Sequence, residues 1–216
     1  MAERKAAIDP VDAVMAELRR RAEPRIRDEM EPRYGIRVKK ALGVRMSAMQ
    51  EVAAQFGQSH ELAAALWKRE EYEAKTVAIY VEEPERVTAA QLERWAKSFD
   101  NWAIVDTACF KLFDQLPFAL EVAEKWTHRS EEFVKRAGYA LIACVALHDK
   151  ERADADFRRL LPRVEEGLLD GRNFVDKGAL WAVNAIARRS KALGAACAAL
   201  TKRAKAAKKA KRAARQ

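Results

Sequence analysis

Residues 100–113 read Asp-Asn-Trp-Ala-Ile-Val-Asp-Thr-Ala-Cys-Phe-Lys-Leu-Phe, a helical spacing that carries one acid in apolar surroundings. At 100° per residue, Trp102, Val105, Cys109, Phe110, Leu112 and Phe113 share one broad face, with Asp106 in its middle and Thr107 and Lys111 on the other side. A carboxylate there is costly unless it is paired or lines a cleft, because desolvation disfavours its charged form. Asp106 is therefore either half of a structural ion pair or an electrostatic group shielded by Trp102 one turn earlier. In a second run, residues 174–189, Lys177, Trp181, Asn184 and Arg188 recur at i, i+4, i+7 and i+11 and share a strip. A ring flanked by cations suits a phosphodiester chain, with the cations on phosphates and the indole against sugar or base; the competing reading is a core Trp with snorkelling Lys and Arg. In a third run, residues 131–142, Arg136 stands beside Ala140 and Ala143. Small neighbours leave its guanidinium open either to a phosphate or to Asp106.

These runs need helices to hold them, and the chain is punctuated for helices. Glycine and proline are scarce, at 8 and 6 of 216 residues, and β-branched residues do not alternate in runs, so the chain reads as all-α. Asp9-Pro10 is an N-cap followed by proline, Glu31-Pro32 reads as the end of one segment and the start of another, and Ser59, Thr88 and Asp100 stand at cap positions. About a dozen segments of helical length follow, joined by short turns. Segments near 70–81, 101–113, 131–147 and 174–189 each come after a shorter amphipathic helix, at the spacing of a helical-repeat solenoid of the HEAT type. The expected layout is a repeat domain over 1–200 and a basic tail over 201–216, the tail being either a helix extension or a mobile arm.

Composition narrows the class. With 50% apolar and 34% charged residues the chain is too hydrophobic for disorder and too charged for a membrane protein. No apolar run of membrane-spanning length occurs, and no secretory leader precedes Pro10, so cytoplasmic residence is the expectation. Cys109, Cys144 and Cys197 are far apart in apolar sequence and read as small buried hydrophobes; His60, His128 and His148 stand alone, so neither a metal nor another cofactor is expected. The net charge is +9, but eight of the 41 Lys and Arg residues lie after position 200, where there is no acid. The remaining 33 basic residues face 32 acids, so the case for a polyanion rests on placed residues more than on total charge.

Trp102-Ala-Ile-Val-Asp106, Val134-Lys-Arg136-Ala and Phe174-Val-Asp-Lys177-Gly-Ala-Leu-Trp181 together resemble the AlkD family of DNA alkylation repair glycosylases, which are built from HEAT-like repeats. Upstream, Tyr34 followed nine residues later by Gly43-Val44-Arg45, and Leu66-Trp67 followed by Glu70-Glu71-Tyr72-Glu73, are similar to that family's N-terminal segments. The resemblance runs in order from Tyr34 to Arg189. It implies an α-α superhelix whose concave face takes duplex DNA, with Trp102, Asp106 and Trp181 lining the catalytic cleft, Arg136 on the DNA backbone and Tyr34 as a lesser contact; the cationic strip adds Lys177 and Arg188. Asn101 stands where the family often has another aromatic, Asn184 where a charged residue is common, and the basic tail is an addition.

The implied chemistry suits this residue inventory. An N3- or N7-alkylated purine is already cationic, so it leaves without a proton from a general acid, and one carboxylate suffices to stabilise the oxocarbenium-like sugar and orient water. Indole faces favour positive charge beside them by about 0.5–2 kcal/mol. The expectation is thus a monomeric, monofunctional glycosylase acting on double-stranded DNA that contains alkylated bases, without base flipping as the resemblance implies. The alternative is a non-catalytic HEAT-like scaffold that binds DNA or protein through the same face.

Overall fold

The computed structural model describes residues 9–214. Among them are thirteen α-helices and two 3-10 turns; the only β-type pairing is one parallel bridge between Lys40 and Glu71. The chain divides into two compact units, the first ending at Val87 and the second beginning at Thr88.

The first unit holds α1 (Pro10–Arg20), α2 (Pro24–Tyr34), α3 (Met46–Phe56), α4 (His60–Trp67) and α5 (Tyr72–Val81). Asp9 caps α1 by accepting from the Val11 N–H at 2.8 Å, with Pro10 at the start, and Val14, Met15 and Leu18 turn inward. Glu31-Pro32 does not divide two helices. Pro32 lies inside α2, near its end, where only one backbone bond is lost on an exposed turn; the helix stops three residues later at Gly35, whose φ of 63° closes the end.

The largest constraint on this unit is Glu73, fully buried, whose carboxylate accepts from the backbone N–H groups of Leu42, Gly43 and Val44 at 2.9, 2.7 and 3.3 Å. Gly43 has φ 86°, and a Cβ there would lie 2.4 Å from the Glu23 carbonyl oxygen, so only glycine fits the turn that Glu73 holds. The Gly43-Val44-Arg45 turn and the acidic segment at 70–73 are thus the two halves of one structural clasp.

The second unit holds α6 (Ala89–Ala96), α7 (Trp102–Lys111), α8 (Ala119–Thr127), α9 (Glu132–His148), α10 (Asp154–Arg158), α11 (Leu161–Leu168), α12 (Asn173–Ala187) and α13 (Lys191–Ala213). The helical-repeat spacing is realised in chain order, a short helix preceding a longer one: α4 and α5, α6 and α7, α8 and α9, α11 and α12, of which α4–α5, α8–α9 and α11–α12 pack directly against each other. Ser59 and Thr88 cap as expected, accepting from Leu62 N and Gln91 N, both at 3.2 Å. At α7 the cap is Asn101, which accepts from Ile104 N at 3.0 Å, while Asp100 binds the Asn101 amide. That use accounts for an asparagine, 2% exposed, at a position where an aromatic cannot cap.

α9 is the centre of the unit. It is buried from Ala137 through Ala146 and packs against α7, α8 and α12. A Cβ at Gly138 would lie 2.7 Å from Thr127 N and 2.8 Å from the Ala123 oxygen, so α8 and α9 are in backbone contact. Beside them Trp95, Phe99, Phe113 and Trp126 form an aromatic cluster with ring centroids 6.0–6.4 Å apart. The three cysteines are free and buried, as read from sequence.

No helix boundary falls at residue 200. α13 runs unbroken across it, docked through Leu193, Cys197, Leu200 and Ala204, so the basic segment begins as a docked helix and continues beyond Ala204 as an exposed one. No helix among the described residues is long and apolar enough to cross a membrane.

Candidate nucleic-acid site

Of the five tryptophans, Trp67, Trp95 and Trp126 are buried at 8%, 4% and 0% exposure, and only Trp102 and Trp181 stay half-buried. Large indoles left partly open to solvent are the ones available to a ligand. Both were singled out by sequence.

On α7 the buried face is Ala103, Ile104, Val105, Ala108 and Cys109, with Leu112 and Phe113 following. Phe110, grouped by sequence with the broad apolar face, is 36% exposed. Trp102, Asp106 and Phe110 therefore form a partly exposed row at i, i+4 and i+8, with the acid between two aromatics.

Asp106 is held by Arg136 from α9. Nε donates to Oδ1 at 2.9 Å and Nη2 to Oδ2 at 2.6 Å, a bidentate fork. Nη1 donates to the Phe174 carbonyl oxygen in the first turn of α12 at 2.8 Å, and the guanidinium carbon lies 6.0 Å from the Trp102 ring centre. Arg136 thus ties α7, α9 and α12 together. Of the two partners open to it from sequence, phosphate or Asp106, it is found on Asp106, with its side chain only 7% exposed. The carboxylate keeps 22%. Burial raises the Asp106 carboxyl above its ordinary value, and the Arg136 guanidinium opposes that rise.

Gly178 lets α12 approach: a Cβ there would meet the Arg136 carbonyl oxygen at 3.3 Å and its Cγ at 3.4 Å. Trp181 lies one turn further along α12. Lys177, Asn184 and Arg188 are exposed on the same helix, so the cationic strip faces solvent as read. Tyr34 belongs to the first unit, at the end of α2, 49% exposed with the Arg33 guanidinium 5.2 Å from its ring.

Two histidines read as solitary have carboxylate partners far away in sequence. His60 Nδ1 is 2.7 Å from Glu82 Oε1, and His148 Nδ1 is bonded to the nearly buried Asp114. His148 also packs edge-on against Phe110, centroids 4.6 Å apart, beside a cavity of about 660 Å³ past the end of α7. The sequence signal for this cavity was Phe110 and Asp114 continuing the row of Asp106; His148 carried none, since its partner is 34 residues away. No group of three or more His, Cys, Asp or Glu among the described residues could hold a metal ion.

The family model for the DNA alkylation repair enzyme matches residues 14–215. A solved structure described as a new family of proteins related to the HEAT-like repeat DNA glycosylases with affinity for branched DNA structures is similar over 89% of this chain and 82% of that one, at 19% identity and a TM-score of 0.79. No curated protein matches. With the helix pairs in repeat order and the match running nearly end to end, the chain belongs to the DNA alkylation repair enzyme family and has its HEAT-like repeat fold.

Proposed function

We propose that this protein is a monofunctional DNA glycosylase, acting as a monomer, that hydrolyses the N-glycosidic bond of cationic N3- or N7-alkylated purines in duplex DNA. One observation carries the reading: a single carboxylate, Asp106, is oriented by a bidentate guanidinium yet keeps 22% of its side chain open, in a row with the half-exposed Trp102.

In this reading the C1′–N bond breaks with its electron pair going to the base, which leaves neutral because it carried the positive charge. The Asp106 carboxylate faces the oxocarbenium-like sugar and orients the water that adds to C1′; that water's proton passes to the carboxylate and on to solvent. Trp102 and Trp181 pack against the sugar and favour its positive charge. Arg136 is a positioning residue, fixing the carboxylate through Nε and Nη2. Tyr34, Lys177 and Arg188 contact the DNA backbone.

A second reading is a DNA-binding module without catalysis. It is favoured by the engagement of both Asp106 oxygens by Arg136, and by the similar solved structure, whose family is described by affinity for branched DNA. Release of 3-methyladenine or 7-methylguanine from methylated duplex decides between them. The proposal expects release by the wild type and a loss of about 10²-fold or more in Asp106→Asn. Equal release by the two proteins removes the catalytic role, and binding of branched DNA with no release by either supports the second reading.

A further inference from the structure

α12 and α13 run antiparallel across the turn at 188–190, and a groove lies between them. Two cavities of about 420 and 250 Å³ adjoin along these helices, sharing Thr201 and Lys205 in their walls. Asn184 and Lys202 line the first part of the groove, and Lys177 and Leu180 its second. The electrostatics are one-sided. The acid lining it, Asp176, is already neutralised by Lys208 at 2.6 Å, and Arg203 turns away onto Glu165. Lys177, Lys202 and Lys205 are exposed and make no ion pair among the described residues.

Three unpaired ammonium groups, the neutral side chains of Asn173, Asn184 and Thr201 and the 46%-exposed Leu180 make a strip that an extended polyanion can follow. The small residues Gly194 and Ala198 form the α13 wall of the groove's first part. Lysines are point charges without the planar fork that selects a carboxylate, which suits a sequence-independent backbone.

We propose that the α12–α13 groove is a second nucleic-acid surface, which takes a phosphodiester backbone through Lys202 and Lys205 without regard to base or damage. The choice of nucleic acid as occupant rests on the family's DNA chemistry, but the groove acts independently of Asp106. Its role is to hold the chain on undamaged DNA, using the basic surplus that follows position 200.

The test is binding of the full chain to undamaged duplex at a series of salt concentrations. Each phosphate neutralised contributes about 0.9 to the slope of log K against log salt, so Lys202→Gln/Lys205→Gln should lower the slope by about 2. A control, Lys97→Gln/Lys150→Gln, removes the same charge from elsewhere in the unit and should leave the slope nearly unchanged. An unaltered slope in the groove variant, or an equal fall in the control, overturns the proposal. So does equally potent competition by polyglutamate, which would make the groove a site for acidic peptides. Undamaged DNA is used throughout, so absence of base release would count against the glycosylase reading alone. Lys202 and Lys205 are exposed and unpaired, and thermal melting should confirm that the groove variant is folded.

Discussion

Arg136 and Asp106 meet in a bidentate pair, 2.9 and 2.6 Å, across a sequence separation of 30 residues, with the guanidinium more deeply buried than the carboxylate it holds. That asymmetry assigns the arginine to the scaffold and leaves the acid as the member able to meet a substrate.

The pair predicts a pH profile. Base release needs ionised Asp106, and burial holds that carboxyl above its ordinary value, so the acid limb of kcat/KM should lie above the usual carboxylate range. Arg136→Gln removes the group that opposes the rise, so the limb should move to still higher pH. An acid limb that stays in place in Arg136→Gln would show that another group controls it. The same variant should lose about 2–4 kcal/mol of stability, because it strands a largely buried carboxylate.

The tryptophans should separate by exposure. Trp126, fully buried and donating from Nε1 to Glu93 at 2.7 Å, should cost about 3–5 kcal/mol as Trp126→Ala. Trp102→Ala and Trp181→Ala, at half-buried positions, should cost less in melting yet lower base release by about tenfold or more, at roughly 1.4 kcal/mol per decade. Melting losses equal to that of Trp126→Ala would make them core residues instead.

Glu73 should behave as a structural acid. Three backbone N–H groups converge on it inside the first unit, and Glu73→Ala leaves them buried and unpaired. Loss of about 3 kcal/mol or more is expected, with Glu73→Gln intermediate because it restores only part of the acceptor set. Chemical denaturation measures this; a change under 1 kcal/mol would show that the turn at 42–44 holds without it.

Acid sensitivity should arise partly from Glu71. Burial alone would raise its carboxyl, but Lys40, Arg69 and its own backbone N–H outweigh burial and bring it down from 4.5 to about 2. A depressed folded value means that the stabilisation is fully present above pH 4.5 and is lost as pH falls toward 2. It amounts to about 2–3 kcal/mol. Glu71→Gln should flatten the stability curve in that window, and an unchanged acid slope would remove Glu71 as its source.

Much of the architecture was legible because helices announce themselves locally. The Ser59 and Thr88 hydroxyls, the pairing of short with long segments and the apolar stripes all depend on neighbours within one or two turns. Asp100 and Pro32 were misread for the same local reason: Asn101 offers an equally good cap one residue later, and proline near a helix end removes only one bond. Asp106, Trp102, Trp181 and Arg136 were singled out by residue type and by the family resemblance, and the structure brings Asp106, Arg136 and Trp102 together.

What residue order alone determined is the all-helical repeat, the spacing that places one carboxylate a turn after a tryptophan, and the concentration of cations in the last sixteen residues. Which partner each charge takes was decided only by tertiary packing. Arg136 with Asp106, Glu73 with Gly43, His148 with Asp114 and Lys208 with Asp176 are each separated by 30 to 34 residues, about one helix pair. A period of 3.6 residues fixes directions around one helix and says nothing of the helix it will face. Stacking the pairs sets those contacts, turns Phe110 outward and lays the basic helix against α12 to make a groove.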